Sequence, residues 1–129
     1  HVFRVSLGEA WRLLAVGARL DLDMLAGAIL RAFRFDFDHL YDFSYANRFG
    51  MVTRINSPED ETGPFAPEVK VGELPLTPGD SMTFHFDYGD DWMHQINVVA
   101  VEGAPPRGRY PKVTARTGKS PPQYPDLVE

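Results

Sequence analysis

Residues 82–98 read Met-Thr-Phe-His-Phe-Asp-Tyr-Gly-Asp-Asp-Trp-Met-His-Gln-Ile-Asn-Val, and their alternation decides the fold. Met82, Phe84, Phe86 and Tyr88 alternate with Thr83, His85 and Asp87; beyond the turn residues Gly89-Asp90-Asp91, Trp92, His94, Ile96 and Val98 alternate with Met93, Gln95 and Asn97. A period of two marks strands with one buried face, so the segment is a β-hairpin. Both apolar sets must share a face, because a slip of one residue turns every side chain over. A three-residue loop, Gly89 to Asp91, meets that condition by pairing Tyr88 with Trp92, Phe86 with His94 and Phe84 with Ile96. This places His94 on the aromatic face and His85 and Asp87 on the wetter one.

The flanking segments supply a sheet for this hairpin to join. Phe3, Val5 and Leu7 alternate with polar residues, and after Gly8-Glu9-Ala10 the run Trp11 to Val16 returns as a second strand. Asp21 or Asp23 can cap a helix that sets Leu22, Leu25, Ile29 and Phe33 on one face, with Gly27 in its middle either weakening it or letting it sit close to a strand. Tyr41, Phe43 and Tyr45 then alternate with Leu40, Asp42 and Ser44, and Ala46-Asn47 turns into a strand from Met51 to Ile55. Residues 57–67 read as a loop, Val69 and Val71 as a short edge strand, and Thr77-Pro78-Gly79-Asp80 as a type II turn. The expected fold is α+β, a mostly antiparallel twisted sheet with the helix packed on one face, β-grasp-like.

At 129 residues the chain is long enough for one self-sufficient core. An α+β core domain is expected over 1–104 and a proline-rich segment, packed on the core or trailing from it, over 105–129. Six of the 11 prolines lie in that segment, which therefore cannot be a central strand or a helix interior. No apolar run is long enough to cross a bilayer, and no membrane partner is expected. The absence of cysteine excludes disulfides, thiolate nucleophiles and Cys-type zinc sites, and suits a cytoplasmic protein. The chain opens on His1 with no signal peptide, so the native start is expected to lie upstream.

The net charge of −5 is unevenly spread: residues 56–97 carry one basic and nine acidic side chains. Such a block repels phosphates, which argues against nucleic-acid binding by this domain alone. Only the tail, with Arg107, Arg109, Lys112, Arg116 and Lys119, offers a basic patch.

Asp87, Asp90, Asp91 and His94 gather about the hairpin, and Asp36, Asp38 and His39 follow the helix. Carboxylates and imidazoles at a strand end can ligate a divalent metal that activates water. The same residues also suit a plain turn, with His94 a half-buried histidine bonded to a carboxylate such as Asp90 or Asp38. The candidate ligand or metal cluster is Asp87, Asp90, Asp91, His94, His39 and Asp38; a divalent metal is the one cofactor these residues would accommodate. Trp92, Tyr88, Trp11 and Tyr41 form a candidate aromatic cleft. No serine sits in a Gly-x-Ser-x-Gly elbow and no glycine-rich phosphate loop is present.

The run Phe86-Asp87-Tyr88-Gly89-Asp90-Asp91-Trp92-Met93-His94-Gln95-Ile96, with Pro78-Gly79-Asp80 before it and Tyr110-Pro111 and Pro121-Pro122 after it, resembles the plasmid pRiA ORF-three-like family. Trp11-Arg12 and His39-Leu40 with Phe43 fit the same pattern, so the resemblance spans nearly the whole chain. The tail departs from it, reading Pro121-Pro122-Gln123-Tyr124-Pro125 where many members have Pro-Pro-Glu-Asp, and it lacks the cysteines often found after Tyr-Pro. The resemblance implies an α+β fold and no particular activity. Together these readings favour a non-enzymatic binding or interaction domain for a protein or small-molecule ligand. A metal-dependent enzyme using the Asp/His cluster is the rival, and a nucleic-acid accessory protein linked to mobile elements is the third reading.

Overall fold

The computed structural model describes residues 1–103 and 110–124. Along the chain run β1 (Val2–Leu7), β2 (Ala10–Ala15), α1 (Leu22–Ala32), β3 (Tyr41–Ala46), β4 (Val52–Asn56), β5 (Ser81–Phe86), β6 (Trp92–Ala100) and β7 (Lys112–Thr117). Among the described residues the strands form one seven-stranded sheet in the order β4-β3-β5-β6-β1-β2-β7, and the six pairings between neighbouring strands are antiparallel. The fold is thus α+β, with the helix on one face of the sheet. Among the described residues, no helix is long and apolar enough to cross a membrane.

Asp21 caps the helix, its carboxylate accepting from the Met24 amide at 2.8 Å, and Leu22, Leu25, Ile29 and Leu30 are buried. They share one core with Phe3, Val5, Leu14 and Ile96 of the sheet and with six further aromatic side chains, Phe33, Phe35, Tyr41, Phe43, Phe84 and Phe86. Gly27 approaches no strand: a methyl group there would meet the Arg31 guanidinium and the Phe37 ring. The helix closes in a Schellman turn, with the Phe35 amide donating to Leu30 at 2.8 Å and the Arg34 amide to Arg31 at 3.1 Å. Arg34 occupies the left-handed position, φ 60°, where glycine is usual.

The expected strand at Val69 and Val71 is reduced to a single bridge: Val69 and Lys70 are extended between two 3-10 turns, Ala66–Glu68 and Val71–Glu73, and Lys70 pairs antiparallel with Asp21 just before α1. The Val71 amide donates to Leu20 and the Gly72 amide to Ala18, both at 2.8 Å, and Gly72 lies so close to Ala18 that a side chain would not fit. The Thr77–Asp80 turn forms as expected, with Gly79 at φ 98° and the Asp80 amide donating to Thr77 at 2.9 Å.

The β5–β6 register differs from expectation by two residues. Phe86 pairs with Trp92, Phe84 with His94 and Met82 with Ile96, leaving a five-residue loop from Asp87 to Asp91. Both ends of the loop are left-handed, Asp87 at φ 64° and Asp91 at φ 52°, and Asp87 Oδ1 accepts from the amides of Gly89 and Asp90. A shift of two preserves the faces, so His94 is still inward and His85 outward. Tyr88 and Asp87 leave the alternation: Tyr88 is partly exposed and Asp87 is buried.

Strand β7 extends the sheet along β2, within the segment expected to be proline-rich. The expected boundary after residue 104, together with Pro105, Pro106, Pro125, Arg107 and Arg109, lies outside the described residues. Past β7 the chain crosses the end of the core. The Ser120 hydroxyl donates to the Phe33 carbonyl, and the Gln123 amide group exchanges bonds with both backbone groups of Asp36.

Candidate functional site

The Asp87–Asp91 turn presents a histidine–carboxylate contact on each face of the sheet. On the helix side, His39 Nε2 lies 3.3 Å from Asp87 Oδ2, 3.6 Å from Asp38 Oδ1 and 2.9 Å from the Tyr124 hydroxyl. Tyr124 in turn donates to Asp38, a bond that is the main cause pushing its phenol up to about 12. Asp38 also accepts from Gln123 Nε2 at 3.1 Å. The cluster is therefore built by the loop after α1 and the chain after β7, with Asp87 as its one buried carboxylate.

On the outer face, the β3–β5 register sets Asp42 opposite His85, while β3–β4 sets it opposite Asn56. Asp42 is only 5% exposed. Its Oδ2 accepts from the Tyr88 hydroxyl at 2.9 Å and lies 3.9 Å from His85 Nδ1; its Oδ1 lies 3.8 Å from Arg54 Nε. His85 Nε2 meets Asp91 Oδ1 at 2.7 Å. Burial and then the bond to Asp42 push the Tyr88 phenol well above its usual range. Asp42, Arg54, His85 and Tyr88 line an open pocket of about 510 Å³ together with Asn56, Asp60 and Thr62.

The six residues expected to form one ligand or metal cluster are divided among three places. Asp38, His39 and Asp87 meet on the helix side, Asp91 joins His85 on the outer face, and Asp90 is exposed at the tip. His94 is sealed in the core, its ring 5.3 Å from Phe33, 6.1 Å from Phe35 and 5.2 Å from Phe84. Among the described residues neither of its ring nitrogens has a hydrogen-bond partner, so the expected bond to Asp90 or Asp38 is absent. Burial draws its pKa down to about 4, against a smaller upward effect of the Phe84 and Trp92 backbone. Among the described residues, no three His, Cys, Asp or Glu side chains are grouped to hold a metal ion.

The expected aromatic cleft is not assembled either. Tyr41 is fully buried, its hydroxyl donating to Asp23 of the helix, and Trp92 packs on Phe35 at 5.0 Å. Trp11 lies on β2 under the Arg4 guanidinium, and Tyr88 has turned to Asp42. A single cleft fails because the inward and outward positions of the strands separate these rings.

Asp42, Arg54 and His85 were not among the residues the sequence singled out. The available signal was Asp42 alternating with aromatics in β3 and His85 doing so in β5; only the strand register turns those two facts into a pair.

Residues 3–124 match the family model described as plasmid pRiA4b ORF-3-like protein. The crystal structure of a protein of unknown function from Methanosarcina mazei Go1 is similar, with a TM-score of 0.82 and 20% identity over 95% of this chain and 71% of that one. That likeness concerns the fold. No curated protein matches the chain. The family match reaches from β1 to the Gln123-Tyr124 contact, taking in the hairpin and both histidine contacts, and the chain accordingly belongs to the plasmid pRiA4b ORF-3-like family.

Proposed function

We propose that the chain is a binding domain that takes a small polar ligand, an amine or a polyol, in the Asp42–His85 pocket of the outer sheet face. The observation that carries this reading is the buried carboxylate of Asp42 on a face where neighbouring positions are polar and open. Burying a charge is costly unless it is held by donors, and the Tyr88 hydroxyl supplies one at 2.9 Å. Arg54 and His85 stand within 4 Å on either side, so the pocket offers a fixed acceptor with donors around it, the arrangement that orients a polar ligand.

Both nitrogens of His85 face carboxylates, Asp91 and Asp42, rather than a hydroxyl that it would activate, which favours binding over nucleophilic catalysis. The acidic lining disfavours nucleic acid there. On this reading the β-grasp-like clasp, a hairpin and a helix holding one face of the sheet, leaves the other face free for the ligand. A cysteine-free chain of this kind suits the cytoplasm.

The test is a panel of amine and polyol fragments titrated into the protein and followed by amide chemical shifts. Perturbations centred on Asp42, Arg54, His85 and Tyr88 and abolished by Asp42→Asn are expected. Perturbations mapping elsewhere, or none across the panel, would overturn the reading.

A further inference from the structure

Four arginines from three parts of the chain line one cup where the end of α1 meets β7. Arg12 of β2, Arg31 of the last helical turn, Arg34 of the Schellman turn and Arg116 of β7 line an open cup of about 320 Å³. Arg12 forms its floor. It is 6% exposed and is fixed by its donors, Nε to the Ala32 carbonyl at 3.2 Å and Nη1 to the carbonyls of Trp11, Thr117 and Gly118 at 2.9–3.1 Å. The Phe33 ring lies under its guanidinium at 5.0 Å. The other three arginines are exposed at the rim.

Carbonyl oxygens hold Arg12, but among the described residues no carboxylate pairs with any of the four. This is notable in a chain whose net charge is −5. Burial, then the charges of Arg116 and Arg34, lower the pKa of Arg12, as expected of like charges brought together. Arg34 adds a second departure, since it holds a left-handed position where glycine costs less. Local rules are broken in this way where another requirement outweighs them.

We propose that this cup binds the phosphate of a small phosphomonoester. Guanidinium forks match phosphate oxygens two at a time, and a phosphomonoester dianion neutralises such a cluster better than one carboxylate does. A smaller cleft shares Arg31, Ala32 and Val113 with the cup and adds Leu14, Ala28 and Pro111, with Lys112 beside them, a partly apolar surface for the organic body of the ester. The site lies apart from the outer-face pocket and stands independently of it.

The test uses inorganic phosphate and phenyl phosphate as probes, in calorimetric titrations and thermal melts against chloride at matched ionic strength. Saturable binding of both is expected, with phenyl phosphate several-fold tighter. Arg34→Gly is expected to weaken phenyl phosphate binding at least tenfold while raising Tm, because it relieves the backbone; Arg116→Gln is expected to weaken it similarly, and Asp42→Asn not at all. Phosphate that stabilises no more than chloride, or variants that bind like the wild type, would overturn the site. Equal affinity for the two probes would remove the apolar half of the proposal. Binding confined to long oligonucleotides, and lost steeply with salt, would replace the site with a diffuse cationic surface.

Discussion

Asp87 and Asp91 close one turn on each other, the Asp91 amide donating to the Asp87 carbonyl at 2.6 Å, while their carboxylates go to opposite faces of the sheet. One loop thereby organises His39 below and His85 above. The left-handed backbone at both ends is what permits it, since strand geometry would have sent both side chains to the same face.

Asp87 therefore stabilises the protein through its side chain and strains it through its backbone. Asp87→Gly loses the bonds to the Gly89 and Asp90 amides and the contact with His39, at a cost of about 1–2 kcal/mol. Asp87→Ala loses the same contacts and retains a Cβ at φ 64°, for about 1 kcal/mol more. Urea unfolding of the two variants checks this; an alanine variant as stable as the glycine variant would show that the backbone is not strained.

His94 makes stability depend on pH. Its folded pKa, about 4, lies below the ordinary histidine value of 6.5, so between those values the unfolded chain binds the proton and the folded chain does not. Its contribution is complete above pH 6.5 and is lost as the pH falls toward 4, roughly 3 kcal/mol in all. His94→Leu is expected to remove that part of the acid sensitivity with little cost at pH 7, because neither ring nitrogen makes a bond. Unfolding free energies at pH 7 and pH 4.5 measure it; equal acid losses in the variant and the wild type would count against a neutral buried His94.

The alternations that place Phe84, Phe86 and His94 inward are properties of the sequence, and so is the capped face of α1, which is why these elements were legible. The register of β5 on β6 was not. It depends on whether Asp87 and Asp91 enter left-handed geometry, and an Asp-Tyr-Gly-Asp-Asp run permits a three- or a five-residue loop. Val69 and Val71 carried strand propensity, but 3-10 turns on either side leave only the bridge of Lys70 to Asp21. The candidate site was half legible for a related reason. The histidines and carboxylates were visible, while the partition among outer face, helix side and core followed from pairing between strands far apart in the chain.

Gln123 ties the chain after β7 to the loop after α1. It accepts from the Asp36 amide at 2.7 Å and donates to the Asp36 carbonyl and to Asp38 Oδ1, both at 3.1 Å. With Gln123 buried and Asp36 exposed, these bonds are expected to be worth about 1–2 kcal/mol together, and Gln123→Ala removes those to both Asp36 backbone groups. Hydrogen exchange offers the sharper reading: the Asp36 amide should lose protection while that of Leu25 does not. Unchanged protection at Asp36 would show that other contacts hold the crossing.

Gly118 takes its conformation, φ 81°, at the point where the chain leaves β7, and a side chain there would lie 2.9 Å from the Ala10 Cα and 3.3 Å from its Cβ. Backbone cannot yield as a flexible side chain does, so Gly118→Ala must displace the end of β7 as well as strain its own dihedral. Gly50 provides the control, with φ 80° and nothing near the position of its missing Cβ. Gly50→Ala is expected to cost about 1 kcal/mol from the dihedral alone, and Gly118→Ala about 2–3 kcal/mol. Because the Gly118 carbonyl accepts from Arg12 Nη1, the larger loss should appear with faster exchange of the amides that join β7 to β2. Similar costs for the two variants would mean that strand β7 gives way freely, and that the close packing on Ala10 contributes nothing to holding it.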